Sequence, residues 1–196
     1  MKQYTGWHFT ASAIEGRDGW PLQRVEELPP GTKPVLCQVG LHASKRALDA
    51  LSYAPGPFVS RVRLEGQVVV GHDKACATRR VRLAGPVDVS RELRLFACRC
   101  AERVLPIFER ARPGDTRPRE AIAVARRFAE GEATREEAAA ARNAAWDAAW
   151  DAAWDAGGAA RAAAWDAAWD AATAAERAWQ ERELARVLRA ALEGKE

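Results

Sequence analysis

Three histidines, His8, His42 and His72, are the side chains best suited to exchange a proton near neutral pH, and all three lie in the first half of the chain. Each sits beside structural punctuation, in Gly6-Trp7-His8-Phe9-Thr10, Gly40-Leu41-His42-Ala43-Ser44 and Gly71-His72-Asp73-Lys74. The plainest reading is three surface or turn histidines. The alternative is a shared polar pocket, in which His8 and His42 hydrogen-bond a ribose or carboxamide and Arg61 or Lys74 pairs with a phosphate.

The cysteines suggest no metal chemistry. Cys37, Cys76, Cys98 and Cys100 contain no C-x-x-C pair, and Cys98 and Cys100 sit two apart in a helical pattern, so they face different directions. Zinc would need His42 or His72 as additional ligands. Reduced, mostly buried thiols are expected, with no metal and no cofactor. Walker, G-x-G-x-x-G, G-x-S-x-G and H-E-x-x-H motifs are all missing from the sequence, and no paired-carboxylate hydrolase pattern stands out in the front half.

The elements that would position these groups fall into two textures. Residues 1–88 carry nearly all the Pro/Gly turn signals. Tyr4–Thr10 reads as a strand, Pro21–Pro34 as a loop, and Val35-Leu36-Cys37 opens a short apolar run ending at Gly40. Ser44–Ser52 reads as a short helix with Ser44 as N-cap, stopped by Pro55-Gly56-Pro57. Phe58–Leu64 alternates as a half-buried strand, and Gln67–Val70 and Arg79–Leu83 read as further strands.

From Arg91 onward the pattern is helical. Leu93, Leu95, Phe96 and Cys100 form a stripe extended by Val104-Leu105 before Pro106. Pro113-Gly114-Asp115 is a turn, Thr116 or Asp115 caps the next helix, and Gly131 ends it. Thr134-Arg135-Glu136-Glu137 is a capping box. A helix of about 20 residues then runs to Gly157-Gly158, which is either a hairpin turn or a weak point in one long rod, the turn costing less helix strain, and a last helix covers about Ala159 to Leu192.

The final helices carry an Ala-Ala-Trp-Asp repeat: Trp146-Asp147, Trp150-Asp151 and Trp154-Asp155, then Trp165-Asp166 and Trp169-Asp170. At about 100° per residue the tryptophans form a slowly drifting ridge, with the aspartates on its flank and alanine elsewhere. The plain expectation is a bundle interior filled by indoles with a solvated acidic edge. The sharper one is a Trp/Asp-lined face that captures a cationic or aromatic partner.

Composition supports these classes. The net charge of +3 is unevenly placed: residues 1–90 hold 12 Lys/Arg against 8 Asp/Glu, whereas residues 91–196 hold 18 against 19. An acidic Trp-rich stretch argues against nucleic acid as partner of the helices. No window approaches a membrane span, and the N-terminus has no secretion-signal pattern, so a cytoplasmic location is expected.

Two resemblances add to this reading. Cys37-Gln38-Val39-Gly40-Leu41-His42-Ala43-Ser44, Ala50-Leu51-Ser52-Tyr53-Ala54-Pro55-Gly56, Val62-Arg63-Leu64-Glu65-Gly66 and Gly71-His72-Asp73-Lys74 resemble an uncharacterised domain family of phages and their bacterial hosts, over about residues 4–88. More loosely, Gly40–Lys45 and Tyr53 have the rhythm of the ADP-ribosyltransferase fold. That likeness implies a nicotinamide-dinucleotide pocket with His8, His42 and Tyr53 as contacts and Glu65 as the positional counterpart of its glutamate. Leu95-Phe96-Ala97-Cys98, Ala101–Pro106, Arg112–Ile122 and Ala129-Glu130-Gly131-Glu132 resemble the helical immunity proteins found beside bacterial toxin genes, which implies binding and neutralising. Trp-Asp stands where that family has mixed Ala, His and Arg.

The sequence therefore predicts an α+β protein: a small β-rich domain with one short helix at 1–88, then an Ala/Trp-rich antiparallel helical bundle at 89–196. The expected role is non-catalytic, sequestering or neutralising a toxin protein or a nucleotide-like defence signal in phage or bacterial conflict. Ligand contacts are expected from His8, His42, Tyr53, Arg61, His72 and Lys74, and partner contacts from the five Trp-Asp pairs. An ADP-ribosyltransferase-like enzyme and a homo-oligomer built on the Trp faces are the alternatives.

Overall fold

A computed structural model of the chain describes residues 4–13, 23–155 and 159–194; the side chains of residues 111 and 149–174 lie outside that description. The elements are β1 (Tyr4–Thr10), β2 (Val25–Glu27), β3 (Leu41–Ala43), α1 (Ala47–Ser52), β4 (Phe58–Val70), β5 (Ala75–Asp88), α2 (Ser90–Ala111), α3 (Arg117–Glu130), α4 (Arg135–Asp155) and α5 (Ala159–Glu193). An antiparallel sheet in the N-terminal part followed by helices makes the chain α+β. It divides into two compact units, Met1–Ser90 with Glu181–Glu196, and Arg91–Gln180.

The first unit is built on one long hairpin. Gln67–Val70 and Arg79–Leu83, expected as separate strands, belong to β4 and β5, which pair from Phe58↔Asp88 to Val70↔Ala75 with three register irregularities. Such bulges bend a ribbon this long and increase its twist. β1 pairs along the outer edge of β4, from Tyr4↔Leu64 to Thr10↔Phe58. β3 takes the first part of β5 and β2 the next part.

Ser44, expected as the cap of α1, instead pairs with Trp7: the Trp7 N–H donates to the Ser44 carbonyl at 2.7 Å, and the Ser44 N–H to the Trp7 carbonyl at 3.1 Å. This bridge returns the chain after β3 to β1, so β1, β4, β5 and β3 close on themselves around Tyr4, Ala43, Val62, Leu64, Ala75 and Ala77. Gly6 permits the closure. A Cβ there would stand 2.7 Å from the Ser44 carbonyl oxygen.

β2 corrects the reading of 21–34 as loop. It is three residues long, and two are glutamates, so no apolar alternation announces it. Its register places Glu26 opposite Arg80 and Glu27 opposite Arg79. Glu26 accepts from Arg80 Nε at 2.8 Å and Nη2 at 2.9 Å, and Glu27 pairs with Arg79 at 2.7 Å. Cross-strand charge pairing holds the strand.

The end of α5 supplies this unit with an apolar stripe. Leu184, Val187, Leu188 and Leu192 are buried, at the spacing of one helix face, and each large aliphatic side chain buried contributes about 1.5–3 kcal/mol. Leu192 reaches the backbone at Gly85, where a Cβ would stand 3.2 Å from its Cδ2. Glu181 lies at the start of the same segment, and its carboxylate accepts the N–H groups of Ala47 and Leu48.

In the second unit, α2 runs through Pro106 to Ala111. Asp115 accepts the Arg117 N–H at 3.2 Å at the start of α3, while Thr116 makes no side-chain cap. Gly131 closes α3 in the left-handed conformation at φ 81°. The capping box at α4 forms in both directions: Thr134 N–H to Glu137 at 2.7 Å, and Glu137 N–H to the Thr134 hydroxyl at 3.1 Å.

Helices in this unit are tied by charged side chains as much as by core. Arg119 meets Glu109 at 2.6 Å, Arg103 meets Glu176 at 2.9 Å, and the Arg94 guanidinium lies over the Phe128 ring. Buried groups include Phe96, Cys98, Leu105, Ala129 and Ala148. Gly157-Gly158, read as a hairpin turn or a weak point in one rod, lies outside the described residues. No helix among the described residues is long and apolar enough to cross a membrane.

Candidate functional site

The candidate ligand residues of the first unit separate into three places. The first is an exposed chain of polar groups around the β4–β5 turn. The Tyr53 hydroxyl donates to the Asp73 carboxylate. Lys74 Nζ stands 3.7 Å from the centroid of the Tyr53 ring. Burial pushes the Lys74 ammonium down, but its bonds to Cys37 and Tyr53 outweigh this and leave its pKa raised. The bond from Tyr53 holds the Asp73 carboxyl below the usual range, and Asp73 in turn raises the Tyr53 phenol.

Cys37 joins this chain with φ 65°, a conformation that non-glycine residues seldom adopt. Its backbone N–H donates to His42 Nε2 at 3.4 Å. The structure thus brings His42, Tyr53 and Lys74 together, with Cys37 and Asp73 as partners the sequence did not single out. His72 is exposed next to Asp73. Among the described residues no group of three His, Cys, Asp or Glu side chains is placed to hold a metal ion.

The second place is buried. β1 and β4 pair without irregularity, so Gly6, His8, Val62 and Ser60 share one face. Arg82 stands opposite Val62, and Arg80 opposite Leu64, on that same face. Burial first, then the charges of Arg80 and Arg82, push the His8 imidazole well below the ordinary histidine range. It is neutral at pH 7. Arg80 is fully engaged, with its fork on Glu26 and Nη1 on the His42 carbonyl at 2.9 Å.

Arg82 is not. Its Nη1 donates to the Gln23 carbonyl at 2.7 Å, but Nε and Nη2 are buried without a hydrogen-bond partner. Nη2 lies 3.9 Å from Glu26 Oε2, an ion-pair separation beyond hydrogen bonding. Ser60 Oγ and His8 Nδ1 are buried and unpartnered as well. Each buried polar group left so costs about 1–3 kcal/mol, and more for a charged one. The three side chains lie on neighbouring strands, β1, β4 and β5.

The third place is Arg61, which the sequence grouped with the histidines. It lies on the opposite face of β4 from Ser60, its guanidinium 4.6 Å from the Trp7 ring centroid. Burial and the charge of Arg189 both lower its pKa. The structure does not bring it to His8 or to Lys74.

In the second unit, Trp146 is 71% exposed, and Asp147 beside it is exposed too. Trp146 therefore departs from the expected indole-filled interior: the α4 side chain that goes inward here is Ala148, at 1%. A small residue on the inner side lets α3 and α4 approach closely. The side chains of Trp150, Asp151, Trp154, Asp155, Trp165, Asp166, Trp169 and Asp170 lie outside the described residues. Val104 and Ile107, on α2, are half exposed at 50% and 53%.

Residues 88–180 match the family described as Imm-5 like putative immunity protein. The match covers just under half of the chain and coincides closely with the second unit, Arg91–Gln180. The helical part is thus similar to immunity proteins. No curated protein and no solved structure matches the chain.

Proposed function

We propose that this chain is an immunity-type protein that binds a toxin protein and neutralises it by occupying its surface, without performing chemistry. The observation that carries this is the coincidence of the family match at 88–180 with a single compact unit that displays an exposed indole beside an exposed carboxylate. Exposed tryptophan supplies a large, stiff contact area, and tryptophan and arginine dominate the energetics of protein interfaces. Carboxylates repeating beside the indoles suit a basic partner, for which they provide charge complementarity and a faster encounter. The same pair of residue types recurs in the sequence at Trp150-Asp151, Trp154-Asp155, Trp165-Asp166 and Trp169-Asp170.

The experiment is neutralisation. The genes flanking that of this chain are each induced in a host with and without the intact chain, and those that arrest growth are taken as the toxins to be neutralised. Restored growth together with a stable complex of the two purified proteins is expected, and Trp146→Ala is expected to weaken both. Unrestored growth with no complex overturns the reading.

A further inference from the structure

We propose that Arg82, Ser60 and His8 form a binding site for phosphate, or for the phosphate group of a small ligand, in the first unit. The proposal stands apart from the toxin-binding reading, which concerns the other unit.

The free edge of Arg82 is the starting point. Nε and Nη2 point the same way from a guanidinium and form the fork that grips two oxygens of an oxyanion. Arg80, two residues away on the same face, presents that same edge to Glu26. Arg82 makes no hydrogen bond through its fork among the described residues. Arg82 is 8% exposed and Ser60 is 0% exposed.

Charge favours an anion here. Arg80 and Arg82 share one carboxylate, Glu26, whose two oxygens are already taken by Arg80. An open depression of about 240 Å³, lined by Arg24, Arg82, Leu83, Ala84 and Gly85, reaches the Arg82 member of the set. That is smaller than the ~300–1,000 Å³ of a drug-sized site and suits one ionic group. Gly85, at φ 81°, brings this wall against the strand bearing Ser60: a Cβ there would stand 3.0 Å from the Ser60 Cα.

The geometry selects phosphate over carboxylate. Two donors from Arg82, the Ser60 hydroxyl and the His8 Nδ1 position come from three strands, not from one plane. A tetrahedral group presents oxygens in several directions, and the neutral imidazole can donate to one of them from its Nδ1–H tautomer.

The test uses the intact chain in a buffer free of oxyanions. Inorganic phosphate is titrated by calorimetry and by thermal denaturation, with acetate and with chloride at matched ionic strength as comparators. Saturable phosphate binding with a rise in Tm is expected, with acetate weaker and chloride without effect. Ser60→Ala, which removes one oxygen and nothing else, is expected to weaken phosphate about two- to ten-fold while circular dichroism stays unchanged. Arg82→Lys is expected to lose more than ten-fold, because an ammonium cannot present a fork. If Arg82→Lys does not fold, Ser60→Ala decides. Absent saturable binding, acetate as tight as phosphate, or phosphate affinity unmoved by Ser60→Ala would each overturn the proposal.

Discussion

The carboxylate of Glu181 accepts the backbone N–H of Ala47 at 2.8 Å, and through its other oxygen that of Leu48 at 2.9 Å. A residue 134 positions downstream thereby caps a six-residue helix whose own N-cap, Arg46, makes no side-chain bond. Charged caps at helix N-termini contribute about 0.5–2 kcal/mol. Glu181→Ala should therefore destabilise the chain by about 1–2 kcal/mol in urea denaturation. Arg186→Ala, which removes a largely exposed guanidinium and its pair with Glu183 inside α5, should stay within about 0.5 kcal/mol. Equal effects from the two would show that Glu181 does not cap α1.

Acid should weaken the first unit through His8. Its folded pKa lies well below the usual 6.5, so the unfolded chain takes up a proton, as pH falls through about 6.5, that the folded chain refuses. Stability is then present in full above that pH and declines below it, by at most about 1.4 kcal/mol per pH unit, until the folded imidazole itself titrates. Urea midpoints measured between neutral pH and pH 5 should fall for the natural chain. They should fall less steeply for His8→Gln, and parallel slopes would contradict the burial of the ring.

The capping box should titrate with the opposite kind of group but the same sense. Backbone and hydroxyl bonds with Thr134 hold the Glu137 carboxyl below its usual 4.5. Its contribution is present above about pH 4.5 and disappears as pH falls through the depressed value. NMR titration of the Glu137 side chain should show the lowered midpoint, and Thr134→Ala should return it toward the ordinary range. The same substitution removes an N-cap and should cost about 0.5–2 kcal/mol.

Positions two apart on α4 should respond in opposite ways. Trp146 is exposed and Ala148 is buried. Trp146→Ala should leave thermal stability within about 0.5 kcal/mol while reducing toxin neutralisation. Ala148→Leu should overpack the contact between α3 and α4 and destabilise by about 1–3 kcal/mol. A stability loss for Trp146→Ala larger than that for Ala148→Leu would place the indole in the core.

Local signals carried the helices and the long strands. The capping box at Thr134–Glu137, Gly131 after α3 and the turn at Pro113-Gly114-Asp115 act over a few residues, so spacing alone reveals them. The alternation of Phe58–Leu64 and the aromatic run Tyr4–Thr10 likewise declare strands, because a pleated, half-buried surface demands that pattern. β2 stayed hidden because its partners, Arg79 and Arg80, lie more than fifty residues away. Ser44 looked like a helix cap because the Trp7 backbone that claims it lies 37 residues earlier in the chain.

The candidate sites divide along the same line. The sequence by itself determined which chemistry was available: three histidines, basic residues in the front half, and indole–carboxylate pairs on helices. Only the tertiary structure decided which of these meet. It joined Tyr53, Asp73 and Lys74 at one turn, sent Arg61 to the far face from His8, and put Arg82, Ser60 and His8 on one face of the sheet. The reason is physical. Side-chain identity and helical period are properties of neighbours along the chain, whereas strand register and burial are set by contacts between segments that the sequence keeps far apart.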